Sequence, residues 1–162
     1  MSSGKGSAQI FGRDCLDALT ASAIATPRRR QNLNFHSAAD HPAQRLLNAV
    51  EPDSYICPHR HPDPRRDETF VVLRGAFGLV CFDEAGAVTQ TAILRASGEL
   101  SGAHVPGGTY HALVSLEPGS IFFEAKAGPY EPLTDKDFGN WAPREGHPDV
   151  PAYLESLRAL FS

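Results

Sequence analysis

The chain has 162 residues, of which 41% are hydrophobic and 21% charged, a balance typical of a single globular domain. Its formal net charge of -4 argues against a nucleic-acid partner, and three cysteines without a CxxC pair argue against a disulfide framework or a zinc ribbon. No apolar run is long enough to cross a bilayer, and no apolar leader follows the small, polar first seven residues, to which we assign no structure. We therefore expect a cytoplasmic protein with no membrane partner.

The first predicted element is a helix over residues 14–25. Leu16, Leu19 and Ala23 fall near one face of it, Asp14 is in position to cap it, and Pro27 stops it. The polar residues 28–41 follow, and no regular element is predicted there. This segment contains His36, which we expect to fold over the mouth of the domain, either as an ordinary loop residue or as a substrate contact.

From residue 44 the pattern changes to short β-like runs separated by turn residues. One run, residues 77–82, is apolar on both faces, which favours a barrel or a sandwich over a one-sided sheet. No helical pattern lies between the runs, which argues against a parallel α/β sheet. The fold prediction is all-β and antiparallel, with strands at residues 44–50, 54–57, 69–73, 77–82, 89–94, 103–105, 112–115 and 120–125.

A tail rich in proline, glycine and aromatic residues comes after the last strand, and we expect it to close one side of the domain's cavity. Residues 149–162 then predict a final helix, with Asp149 as its N-cap. The predicted organisation is one structural domain in three parts. These are an N-terminal helix and polar arm (1–43), a β-barrel (44–126), and a C-terminal extension with a helix that packs on the barrel (127–162).

Three of the seven histidines, together with one glutamate, predict a metal site. His59 and His61 are two residues apart, so in an extended strand their side chains point to the same face. A proline-rich loop can return the chain so that Glu68 lies beside them, and the Pro106-Gly107-Gly108 turn can present His111 to the same cavity. Three imidazoles and a carboxylate suit one divalent Fe, Mn, Ni, Co or Zn ion and do not suit calcium. Glu68 is interpreted either as the fourth ligand or as a carboxylate that orients an imidazole.

These residues resemble the two motifs of the cupin superfamily. The first has His59-x-His61, then Glu68 and Gly75, and the second has Pro106-x-Gly108-x-x-His111. The gap between His61 and Glu68 is longer than in the family, whereas the spacing from Glu68 to Gly75 is the usual one. The resemblance implies an antiparallel cupin β-barrel of the jelly-roll type, with a metal held by His59, His61, Glu68 and His111.

The chain looks more closely similar to the WbuC-like cupins, which are associated with O-antigen gene clusters. The segments that carry this resemblance are PRRR at 27–30, NLNFH at 32–36, QRLLNA at 44–49, EAKAGPY at 124–130 and KDFGNWAP at 136–143. It implies a metal-binding cupin with a role in surface-polysaccharide metabolism, and it leaves the substrate and the reaction open.

Three functions fit these residues. The first is a metal-dependent enzyme, such as an isomerase, epimerase or oxygenase, acting on a small polar or sugar-derived substrate. The second is a non-catalytic module that binds a metal or a small ligand, and the third is a metal-free sugar epimerase or isomerase with a histidine as its base. The candidate catalytic residues are Lys126 and Tyr130, and the candidate substrate-binding residues are His36, Gln44 and Arg45. An apolar stripe on the last helix and exposed strand edges predict a homodimer.

Overall fold

The computed structural model describes residues 6–162, so the first five of the seven N-terminal residues lie outside the described part of the chain. Neither helix in the described part is long and apolar enough to span a membrane. The elements in chain order are α1 (Arg13–Ala25), β1 (Arg30–Asn34), β2 (Ala43–Val50), β3 (Glu68–Arg74), β4 (Ala76–Phe82), β5 (Val88–Arg95), β6 (Gly102–Val105), β7 (Tyr110–Ser115), β8 (Ser120–Ala127), a short 3-10 helix (Asp135–Asp137) and α2 (Val150–Ala159).

The eight strands form two antiparallel sheets. The large sheet has the order β1-β2-β8-β3-β6, and the small sheet has the order β5-β4-β7. Their facing sides share an apolar core that includes Phe70, Phe77, Leu94 and Phe122. The prediction of a mostly-β antiparallel fold with a helix at each end is therefore confirmed.

Helix α1 covers the outer face of the large sheet. Its buried Leu19 and Ala23 pack against Leu47 and Ala49 of β2 and Ile121 of β8. The odd-numbered residues of β2 thus face the helix, which leaves the even-numbered ones for the inner face of the sheet. The capping prediction was wrong in detail, because the N-cap residue of α1 is glycine 12 and Asp14 lies within the first turn.

Strand β1 is an element that the sequence did not predict. It pairs with β2 along its whole length, from Arg30 opposite Val50 to Asn34 opposite Leu46. Its residues are mostly polar because it is an edge strand whose inner face borders solvent, so the apolar alternation that marks a strand is absent.

The predicted strand at residues 54–57 does not form. This segment is extended and largely buried, but it joins no ladder, and the first bridge after it involves His59. Its apolar side chains serve packing instead. Tyr55 lies in a second core with the C-terminal helix, and its hydroxyl donates a hydrogen bond to the Pro143 carbonyl at 2.7 Å.

The C-terminal extension packs on the outer face of the small sheet. Trp141, the only tryptophan, lies 5.6 Å from the ring of Phe82 and 4.9 Å from that of Tyr110 between ring centroids. Helix α2 ends earlier than predicted, at Ala159, and Asp149 occupies the N-cap position without a side-chain capping bond.

We predict that Phe77→Ala lowers the free energy of unfolding by about 3–5 kcal/mol, because it empties a fully buried ring site. Phe77 packs edge-on against Phe122, with ring centroids 5.0 Å apart, so the substitution also removes this aromatic contact. Urea unfolding measures the change. Val88→Ala, at an exposed position on β5, is the control and should change stability by no more than about 0.5 kcal/mol.

Candidate metal centre

The two predicted metal motifs are brought together by backbone hydrogen bonds. The His59 N–H donates to the His111 carbonyl at 3.1 Å, and the His111 N–H donates to the His59 carbonyl at 2.9 Å. Gly108 has a φ of +85°, which glycine adopts without strain, and its N–H donates to the His61 carbonyl at 2.7 Å. The turn before His111 is thus fastened to the segment that carries the first two histidines.

All four predicted ligands meet at one place. The ligand atoms of His59, His61 and Glu68 lie within 4.8 Å of one another. One carboxylate oxygen of Glu68 is 2.9 Å from Nε2 of His61, and the other is 2.7 Å from Nε2 of His111. The ring centroids of His59 and His111 are 4.8 Å apart. The carboxylate of Glu68 therefore lies between two of the three imidazoles.

Hydrogen bonds on the far side of the rings of His59 and His111 occupy Nδ1, and Nε2 of His111 faces the Glu68 carboxylate. His59 donates from Nδ1 to the Cys57 carbonyl, and His111 donates from Nδ1 to the Thr109 carbonyl, both at 2.9 Å. A neutral ring whose Nδ1 carries the proton presents a lone pair at Nε2. Nε2 of His61 is buried, lies 2.9 Å from a Glu68 oxygen and makes no hydrogen bond within residues 6–162. This donor set fits a divalent transition metal.

Burial and the Glu68 charge set the protonation of the cluster. Burial, together with the charge on His111, lowers the pKa of His59 to about 3, so His59 stays neutral. Burial also opposes a charge on His111, but the hydrogen bond and charge of Glu68 outweigh it and raise the pKa of His111. Burial would raise the pKa of Glu68, yet its contacts with His111 and His61 lower it. Without a metal, a proton on His111 thus balances the carboxylate.

The cluster borders a cavity of about 240 Å³ between the sheets. Phe70, Leu113 and Phe122 form its apolar wall. The polar side chains that line the rest are Arg30, Gln44, Asn48, Arg66, Glu124, Lys126, Tyr130 and Glu131. The cavity is thus large enough for a small polar molecule and has charged groups along one side.

Lys126 and Glu124 form a charged pair next to the candidate ligands. Nζ of Lys126 is 3.3 Å from Glu124 and 3.8 Å from Glu68, and the Asn48 amide donates to Glu124 at 3.0 Å. Burial raises the pKa of Glu124 to about 7, although Lys126 opposes this shift. Burial disfavours the charge of Lys126, but the two carboxylates outweigh it and raise its pKa. Glu124 was not among the predicted site residues, and it shares a face of the observed β8 with Lys126.

The other predicted site residues differ in their access to the cavity. Gln44 is buried and lines it, and its amide donates to the carbonyls of Ala39 and His41. Tyr130 lies at the rim with 57% of its surface exposed. His36 lines an adjoining groove rather than the cavity itself. Arg45 lines neither, because alternation along β2 places it on the opposite face from Gln44.

The C-terminal extension closes only part of the cavity. Pro129, Tyr130, Glu131 and Leu133 line it, whereas Trp141 and the residues around it pack on the small sheet. The expectation that this tail forms one side of the cavity therefore holds for its first residues.

The fold of this chain is similar to the folds of several solved structures, each less than 25% identical to it in sequence. KdgF from Halomonas sp. is 20% identical and matches 66% of this chain and 85% of its own, with a TM-score of 0.50. An oxalate oxidase in complex with the substrate analogue glycolate is 14% identical and matches 86% of this chain and 75% of its own, with a TM-score of 0.54. The conserved SPY1581 protein of unknown function from Streptococcus pyogenes is 15% identical over 81% of this chain and 98% of its own, with a TM-score of 0.53.

Within this fold, the chain belongs to the family described as Domain of unknown function (DUF6016), whose model matches residues 11–94. That match includes His59, His61 and Glu68 and ends before His111. No curated protein matches the chain. The family and the fold are thus established, and the chemistry has to be inferred from the site.

We predict that His61→Ala and His111→Ala each abolish stoichiometric metal binding while the protein stays folded. Each imidazole is one of only four candidate ligands, and the core is built from other residues. Elemental analysis gives the metal bound per chain, and thermal melts report folding.

His104→Ala is the matched control, because this imidazole pairs with the Thr69 hydroxyl and lies outside the cavity. It should retain full metal. Glu68→Gln should weaken binding without abolishing it, since the amide oxygen still reaches the cluster but carries no charge. Full metal content in both His61→Ala and His111→Ala would show that the metal is held elsewhere.

We also predict that metal affinity declines as the pH falls, beginning above pH 6.5, the ordinary pKa of histidine. The metal must displace the proton from His111, whose pKa is raised, so affinity is full above that pKa and is lost below it. The expected slope is about tenfold per pH unit. Competition titrations with a chelator between about pH 8 and about pH 6 measure it. A flat profile over this range would contradict the role of His111.

Proposed function

We propose that the protein is a metal-dependent cupin enzyme that acts on a small polar or sugar-derived substrate. One divalent transition metal is held by His59, His61, Glu68 and His111. The observation that carries the proposal is that these four ligands converge at the edge of a cavity with its own charged groups. When bound, the metal supplies Lewis-acid chemistry, which polarises a coordinated oxygen.

The chain's own residues bind the substrate and move protons. Lys126 contacts the ligand Glu68 on one side and Glu124 on the other, so a group bound beside Glu68 is within reach of its ammonium proton. Tyr130 at the rim offers a hydroxyl as a second proton donor. Gln44 is held rigidly by two backbone carbonyls and positions the substrate.

The polar side of the cavity supports a substrate rich in hydroxyl or carboxylate groups. The resemblance to WbuC-like cupins supports a sugar-derived compound and a role in surface-polysaccharide (O-antigen) metabolism in the cytoplasm. Small hydroxy acids are a further class to be tested, since glycolate binds to the similar oxalate oxidase.

One contact in the site favours an alternative function, that of a metal-free epimerase or isomerase. Nε2 of His111 and the Glu68 carboxylate are 2.7 Å apart and buried, an arrangement that also suits a general base with a carboxylate partner. In that case His111 would exchange protons with substrate carbon and no metal would be needed. A non-catalytic ligand-binding module would show neither metal-dependent nor metal-free turnover.

We further propose that the protein forms a homodimer. Val71 and Leu73 on the outer face of β3 are 40% and 37% exposed, and Phe123 lies opposite Val71 in the ladder. The large sheet also ends in two edge strands, β1 and β6. Exposed apolar residues and strand edges are commonly covered by a second copy.

The decisive experiment offers sugar nucleotides, sugar acids and small hydroxy acids to protein loaded with each candidate metal, with products followed by NMR. We expect turnover that requires the metal and that falls about a hundredfold in Lys126→Met with the metal retained. Lys136→Met, an exposed lysine in the C-terminal extension, is the matched control and should have full activity. Turnover that survives metal removal would support the isomerase alternative, and ligand binding without turnover would support the non-catalytic module.

A further inference from the structure

A polar groove lies beside the metal cavity, on the part of the large sheet that extends past the core. The large sheet has five strands and the small sheet three, and the groove follows the inner side of β1 and β2. Its volume is about 520 Å³. The inward-facing residues of β1, Asn32 and Asn34, line it together with Arg28 and His36.

The groove and the metal cavity adjoin each other. The five residues that line both are Gln44, Asn48, Glu124, Lys126 and Tyr130. Tyr130 marks the junction, with its ring largely exposed and its backbone N–H fixed to the Ala39 carbonyl at 2.6 Å. A molecule bound at the candidate metal ligands is therefore next to the groove along β1.

The chemistry of the groove suits an uncharged, hydroxyl-rich ring. Asn32 donates to Asn34 at 2.9 Å, so the two amides are held in a row, and each retains further donors and acceptors for sugar hydroxyls. The exposed Tyr130 ring offers an apolar face for a sugar ring to stack on. Arg28 is already bound by both oxygens of Glu145, at 2.8 and 2.9 Å, which favours a neutral ring over a phosphate.

We propose that this groove binds a second, neutral sugar unit of the substrate, so that the enzyme acts on an oligosaccharide or a glycoside rather than on a single sugar. The inference rests on the proposed function, because it assigns the first unit to the metal cavity. It adds Asn32, Asn34 and the face of the Tyr130 ring as specificity residues.

The test compares metal-loaded protein on an array of bacterial oligosaccharides and their component monosaccharides. Oligosaccharides should bind at least about tenfold more tightly than the corresponding single sugars, and the double variant Asn32→Ala/Asn34→Ala should remove that gain with metal content unchanged. Tyr130→Ala should weaken binding by about tenfold, whereas Tyr130→Phe, which keeps the ring, should bind as the wild type does.

Gln31→Ala is the matched control, since it lies on the same strand with its side chain on the opposite face, and it should keep full affinity. No preference for oligosaccharides in the wild type, or a preference that survives the double variant, would overturn the groove proposal. Neither result would contradict the proposed metal site, which is tested separately by measuring the metal bound per chain. Conversely, oligosaccharide binding that depends on Asn32 and Asn34 but is unchanged in His61→Ala would support the groove and contradict its link to a metal-bound substrate.

Discussion

A buried carboxylate between imidazoles is the constraint around which the site is built. Glu68 is almost wholly buried, and its two oxygens contact His61 and His111. An uncompensated charge in such a place costs several kcal/mol, so the cluster must hold either a proton or a cation. The raised pKa of His111 favours the proton, and Nε2 of His61 and of His111, beside the carboxylate, offer ligand atoms for the cation. The arrangement thus suits either a proton or a divalent metal.

The alternation of side chains along two neighbouring strands, β3 and β8, determines which groups surround the Glu68 carboxylate. Glu68, Phe70 and Val72 alternate inward on β3, and Phe122, Glu124 and Lys126 do so on β8. The ladder places Glu68 opposite Lys126 and Phe70 opposite Glu124. The inner face of the large sheet thus changes from apolar at the core to charged at the open end. The same alternation provides both the packing that holds the fold and the groups proposed for chemistry.

Much of the fold could be predicted from the sequence because many of its strands are short, mostly apolar runs separated by turn residues. Residues 77–82 and 69–73 are examples, and both lie within observed strands. Strand β1 was missed because its open inner face carries asparagines, and residues 54–57 were taken for a strand because their buried side chains pack without a backbone ladder. The local pattern of apolar residues predicts which side chains are buried, but it does not predict which backbone groups pair in a sheet.

The candidate ligands were found from spacing and motif, whereas their surroundings were not. His59 and His61 are two residues apart, and glycine 108 identifies the turn before His111, so these positions carry a local signal. Glu124 and Asn48 reach the cavity only through sheet pairing between segments far apart in the chain. The polar groove likewise depends on β1, whose pairing no local pattern indicates.

The position of Trp141 gives the protein a built-in optical reporter. It is the only indole in the chain, it lies against Phe82 and Tyr110 on the outer face of the small sheet, and it is absent from the residues that line the cavity. Its ring nitrogen is buried without a hydrogen-bond partner in the described part of the chain, so solvent entry would change its surroundings sharply. Its fluorescence emission therefore follows the docking of the C-terminal extension, and it separates loosening of that extension from events at the histidine cluster.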